Sequence, residues 1–196
     1  MDDAALERWL AELLVTPGLT AVGDARDARR VLVGDALRAV PLLAGTSGSI
    51  VDVGSGGGSP GVPLALALPE RRFRLVESRR RRCDFLERVT NDVSNVEVVW
   101  GRAEEQPTDE HGAALAKALA KPPVAAELCL PLVQPDGIAI LWVGETADAG
   151  AVSTAAERVG GRLESESDGL LVLRKVEPTP AGFPRRPGMA RKRPLA

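Results

Sequence analysis

Three carboxylates stand beside the one stretch of this sequence that is built for close ligand approach. The stretch is VDVGSGGGSPGVPLALALP (51–69), with five glycines and three prolines in nineteen residues, and Asp52 opens it. Glycine admits positive φ and lets a ligand lie against bare backbone. In an open α/β sheet such loops sit beyond the carboxyl ends of strands, where ligands bind. Gly54, Ser55, Gly56, Gly58 and Ser59 are therefore candidates to cradle a nucleotide-like cofactor. The neighbours select its kind. No Lys-Ser/Thr follows, so the loop is not a phosphate-cradling P-loop. The G-x-G-x-x-G spacing is only partly met, because Ser59 takes the third place. Asp52, two residues before the first glycine, is expected at the mouth of the site. There it repels a pyrophosphate and attracts a ligand that carries an ammonium and a sulfonium. Pro60 removes one of the helix N-terminal N–H donors that a phosphate uses. Both features favour S-adenosyl-L-methionine over a nicotinamide or flavin cofactor. Glu77 ends the next apolar stretch, RFRLVE, where a carboxylate can accept from both ribose hydroxyls. After the third, NVEVVW, comes GRAEE (101–105), in which the Ala103 backbone and the Glu104 carboxylate are placed to read the adenine edge.

The elements that hold these residues alternate. Helical spacing covers 3–14 and about 24–39; SIVDV (49–53) is a buried strand, and Pro60 starts a helix that runs to about Leu68. Strands are expected at 72–77, 95–100 and 137–144. Helices are expected after Ser78, which can cap one, from 123 to Pro131, and over 146–159. Asp168-Gly169 splits 162–176 into a closing hairpin. The span 106–118 resists assignment. This alternation predicts an α/β protein with a mostly parallel sheet covered on both faces.

Bulk properties exclude several classes. A chain of 196 residues buries enough surface to need no disulfide or metal staple. Cys83 and Cys129 suit a reducing cytosol and read as core thiols. No run of about 18 apolar residues suggests a membrane span, and the acidic MDDAALERWL has no signal-peptide core. The expected location is cytoplasmic. A lone histidine, His111, rules out a His-based zinc cluster and reads as a surface residue, so no metal is expected. Trp9, Trp100 and Trp142 read as core.

The net charge of −2 argues against a nucleic-acid partner, but its distribution argues for one. Residues 71–82 hold seven arginines against one glutamate, and 185–196 hold five basic residues and no acid. Arginines at a helix start are electrostatically unfavourable, which suggests phosphate contacts for Arg79, Arg81 and Arg82. Arg185, Arg186, Arg191, Lys192 and Arg193 extend that set, with Phe183 as a base-stacking candidate. The last twenty or so residues are rich in Pro, Gly and Arg and need not form a packed element.

The stretches VDVGSGGGSPGVPLALALP, VESRRRRCDFLERV, GRAEE, VAAELCLPLV and TPAGFPRRPGMARKRPL resemble the glucose-inhibited division protein B family. These bacterial enzymes methylate a guanine N7 of small-subunit ribosomal RNA. The resemblance implies a class I, Rossmann-like methyltransferase sheet of seven strands with a C-terminal antiparallel hairpin. It divides the chain into a helical cap (1–45), a methyltransferase domain (46–178) and a basic tail (179–196). It further implies that Gly54, Ser59, Ala103, Glu104 and Lys117 touch the cofactor, and that the partner is the small ribosomal subunit. Lys117 stands where the family carries arginine, Val143 where it carries lysine, and only Asp35 remains of a His-Asp-Ser segment. A diverged member that binds cofactor without methylating RNA, and a small-molecule methyltransferase, are the alternatives.

Overall fold

The computed structural model describes residues 2–196. Helices come first: α1 (Asp3–Val15), α2 (Ala25–Ala28), a π-helical stretch (Arg29–Gly34), α3 (Asp35–Leu37) and α4 (Val40–Leu43). The Asp2 carboxylate starts α1 by accepting the Ala5 N–H at 3.0 Å, and Asp24 does the same for α2 with two N–H groups. Then follow β1 (Ile50–Val53), α5 (Gly61–Ala67), β2 (Phe73–Glu77), α6 (Arg80–Val89), β3 (Val96–Trp100) and a 3-10 turn (Ala103–Glu105). The second half adds β4 (His111–Lys117), α7 (Pro122–Cys129), β5 (Val133–Trp142), α8 (Ala149–Glu157), β6 (Gly161–Ser167), β7 (Leu170–Lys175) and α9 (Met189–Lys192).

The strands form one sheet in the order β3-β2-β1-β4-β5-β7-β6. All neighbours as far as β5 are parallel, and β7 runs antiparallel between β5 and β6. The hairpin turns at Asp168-Gly169, both with positive φ (49° and 75°), as a type I′ turn requires. Strand order reverses between β1 and β4, so the ligand crevice belongs at the ends of those two strands. The unassigned span 106–118 contains β4, the central strand on the far side of that reversal. Its sequence, HGAALAK, shows no alternation because both faces are buried.

Apolar residues of alternate register cover the two faces. Val51, Val53, Ala114, Ala116, Ala139 and Leu141 meet α7 and α8. On the other side Trp9, Leu13, Val62, Leu75, Phe85 and Leu86 join α1, α5 and α6. Phe183 and Leu195 pack against the first group and Ala190 is buried within it, so the C-terminal segment is a packed strap, contrary to its composition. His111 is buried too, with Nδ1 2.8 Å from the Ser49 hydroxyl, and burial pushes its pKa down. Trp100 is 61% exposed because β3 is the sheet's edge, so of the three tryptophans it lies outside the core. Among the described residues no helix is long and apolar enough to cross a membrane.

Candidate functional site

Two cavities lie along the ends of β1, β2, β3 and β4 as one cleft in two parts, and Gly54 lines both. One part, of about 60 Å³, is walled by Val53, Val76, Gly101, Ala103, Glu104 and Leu119. The other, of about 260 Å³, lies between the glycine loop, Lys117-Ala118, and Leu13, Leu19, Thr20 and Leu32 of the N-terminal region. At Gly54 a side chain would have to displace Leu119 and adopt a strained backbone conformation. A Cβ on Gly54 (φ +73°) would stand 2.5 Å from Leu119 Cδ1. Gly56 also takes a left-handed φ, +57°. Ala118 shares that conformation at φ +54° without being glycine, a local strain placed directly at the cleft.

Of the cofactor residues expected from the sequence, Gly54, Ser55, Gly56, Ser59, Ala103, Glu104 and Lys117 line this cleft. Three do not. Asp52 is 1% exposed and lies under the loop, where its carboxylate accepts the Gly61 N–H at 3.2 Å. It shares the α5 face of β1 with Ile50, which turns it away from the mouth. Burial pushes its pKa up to about 7. Glu77 is 3% exposed; its oxygens accept the N–H groups of Gly56 (3.1 Å) and Arg79 (2.8 Å). It braces the glycine loop from behind. Ser78 does not cap α6; its hydroxyl donates to Glu77. Gly58 is enclosed, since a Cβ there would come within 2.8 Å of Trp9 Nε1 and Val62. Gly57, which does line the cleft, lacked any distinguishing spacing signal. Its carbonyl accepts the Trp9 indole N–H at 2.8 Å, which fixes α1 to the loop.

The N-terminal helices close over the wider part through two more contacts. Ser59 Oγ donates to Leu32 O at 2.8 Å. Lys117 Nζ lies 2.6 Å from Asp35 Oδ2 and 2.7 Å from Val31 O.

The expected RNA residues divide sharply. Arg79 and Arg81 are exposed at the start of α6, and Arg186, Lys192 and Arg193 are exposed in the strap. Arg82 instead turns into the cleft, 3.6 Å from Glu77. Phe183 packs on the core. Arg185 grips Glu127 through two 2.6 Å hydrogen bonds, and Arg191 donates to Leu119 O at 2.8 Å. A carboxylate that is 97% buried needs a partner cation, and Glu127 alone among apolar residues in AAELCLPLV was the signal for one.

Cys83 and Cys129 are buried free thiols, and burial pushes both pKa values up. Neither is poised as a nucleophile.

Solved methyltransferases share this architecture. Geranyl diphosphate C-methyltransferase from Streptomyces coelicolor superposes with a TM-score of 0.62 at 11% identity, over 85% of this chain and 86% of that one. A SAM-dependent methyltransferase from Aquifex aeolicus gives 0.58 at 16% identity, over 76% and 93%. The fold is that of the class I S-adenosylmethionine-dependent methyltransferases. Sequence narrows it further. Residues 4–160 match the family model described as rRNA small subunit methyltransferase G. A ribosomal RNA small subunit methyltransferase G from Pelotomaculum thermopropionicum is 38% identical over 178 residues, 81% of this chain and 74% of the relative. One from Synechococcus sp. (strain JA-2-3B'a(2-13)) is 34% identical over 207 residues, 92% and 79%. The chain belongs to the rRNA small subunit methyltransferase G family.

Proposed function

We propose that this chain transfers the methyl group of S-adenosyl-L-methionine to N7 of a guanine in small-subunit ribosomal RNA, in the cytosol. The observation that carries this is the two-part cleft with Gly54 lining both parts, in a chain of this family. Ala103 and Glu104 would hold the adenine end; Gly54 and Gly56 would pass the middle; Ser59 and Lys117 would face the methionine end and the incoming base. The bound cofactor supplies an already activated methyl group.

Guanine N7 offers a lone pair and loses no proton. The chain therefore needs no general base, and what it contributes is position and exclusion of water. The N-terminal helices supply the exclusion by covering the wider part. Methylated guanine carries a positive charge, which a bare ammonium beside it would oppose. Asp35, 2.6 Å from Lys117, offsets that ammonium. Exposed Arg79, Arg81, Arg186, Lys192 and Arg193 serve as phosphate contacts. Trp100, with the Arg80 guanidinium 5.5 Å from its ring centre, offers the stacking face earlier expected of Phe183.

Incubation of the protein with unmethylated small subunits and methyl-labelled S-adenosylmethionine tests this. Label in the ribosomal RNA is the expected result. Failure to label it, in a protein that binds the cofactor, contradicts the proposal.

A further inference from the structure

The strap that follows β7 is fastened at three levels. At its root the buried Lys175 ammonium donates to Thr179 Oγ1 at 2.6 Å, and the Thr179 N–H reaches Asp109 at 3.1 Å. Midway, Arg185 makes its paired 2.6 Å bonds to Glu127, and a third to Arg193 O at 2.8 Å. At the tip, the Gly188 N–H donates to Glu104 Oε1 and Arg191 donates to Leu119 O, both at 2.8 Å. Gly188 and Arg191 thereby become part of the wall of the narrow part of the cleft, together with Ala103 and Glu104.

Two geometric facts make this more than a tail lying on a surface. Glu127 precedes Leu128, and Leu128 lines the same compartment. The fork of Arg185 and the plane of Glu127 also fix orientation as well as distance, which a point charge cannot do. The strap therefore sets where Gly188 stands, and Gly188 sets where the Glu104 carboxylate points.

We propose that residues 179–196 form one wall of the cofactor site, and that Arg185 is the residue that positions it. The proposal rests on the cleft being the cofactor site. Arg185 is a positioning residue: it acts on the adenine end through Gly188, Arg191 and Glu104. The basic tail is then not a free arm. Its exposed cations, Arg186, Lys192 and Arg193, ride on a segment whose other side touches cofactor, so RNA and cofactor affinities are coupled through it.

Calorimetry with S-adenosylhomocysteine and with adenosine, on wild type, Arg185→Lys and Arg191→Met, tests this. Arg185→Lys keeps charge and loses the fork; Arg191 is exposed, so its loss spares the fold. We expect affinity for both probes to fall about tenfold in Arg185→Lys, the loss of one well-made charged hydrogen bond, and by less in Arg191→Met. In methyl transfer, KM for S-adenosylmethionine rises more than kcat falls. If both variants bind both probes as wild type does and only melt earlier, the strap is structural and the proposal fails. It also fails if RNA affinity drops while adenosine affinity holds. Wild type that binds neither probe overturns the cofactor reading itself, and this proposal with it.

Discussion

The two ends of the cleft are closed by different physics. At the end proposed for adenine the wall comes from the far end of the chain and is held by hydrogen bonds from Gly188 and Arg191 and an ion pair whose carboxylate is 97% buried. At the other end the cover is helical: Leu6, Trp9, Leu10 and Leu13 anchor α1 in the core, and the rest is held by the partly exposed pair Lys117–Asp35 and single bonds from Ser59 and Trp142. The proposed function puts the nucleoside at the narrower end and the incoming base at the wider one. Cofactor and base are both exchanged at every turnover, and the wider end leaves room for a base still attached to a large RNA. Gly54 is where the two regimes meet.

A Gly54→Val protein breaks the comparison outright, because the added side chain strikes Leu119 and the φ of +73° resists it. Cofactor affinity should fall by about 100-fold or more, roughly 3 kcal/mol, in calorimetry with S-adenosylhomocysteine. Retained affinity would mean that the cofactor does not pass Gly54.

Asp52 is buried and lines neither part of the cleft, and its pKa sharpens the distinction between lining a site and supporting it. Raised by burial from 3.8 to about 7, it binds its proton more tightly folded than unfolded. That stabilisation is complete below about pH 4 and is lost as pH rises through about 7, on the order of a few kcal/mol. Asp52→Asn, which keeps an acceptor for the Gly61 N–H, should flatten the dependence of melting temperature on pH between 4 and 7. It should be at least as stable as wild type at pH 8. A large loss of cofactor affinity in this variant would restore the carboxylate to the cleft mouth.

The latch should matter for turnover more than for cofactor binding. Lys117→Ala should lower methyl transfer about tenfold while S-adenosylhomocysteine affinity changes by no more than about threefold. Asp35→Ala should act partly through the same contact, so the double variant should lose less than the two single losses combined. Lys117→Arg should retain activity. Additive losses would show that Lys117 does something the pair does not.

The smallest effects belong to the exposed cations. Removing Arg186, Lys192 or Arg193 singly should weaken RNA binding by about twofold to fivefold. Each loss should also reduce the salt slope by somewhat less than one unit. Adenosine affinity should hold, in contrast to Arg185→Lys.

Much of this was legible in the sequence, and the gaps have physical causes. The glycine loop, the strands at 72–77 and 95–100, the GRAEE turn and the Asp-Gly hairpin carry local signals, and each stands where those signals put it. β4 did not show, because an alanine-rich strand buried on both faces lacks both alternation and high β propensity. Asp52 and Glu77 stand on the strands where the sequence reading placed them, and the structure shows both carboxylates buried and bonded to backbone N–H groups. One lies on the α5 face of its strand, and the other is held by backbone N–H groups of two loops. The strap read as solvated because Arg185 and its partner Glu127 are 58 residues apart. Two basic runs that look alike in one dimension thus differ in three: the α6 run leaves Arg79 and Arg81 outward, while the strap spends Arg185 and Arg191 on the protein itself.

Mass spectrometry of small-subunit ribosomal RNA from cells with and without the gene tests the central claim most directly. The account predicts one N7-methylguanine present with the gene, absent without it, and restored by wild type but not by Gly54→Val. Identical methylation of that RNA in both strains would contradict it.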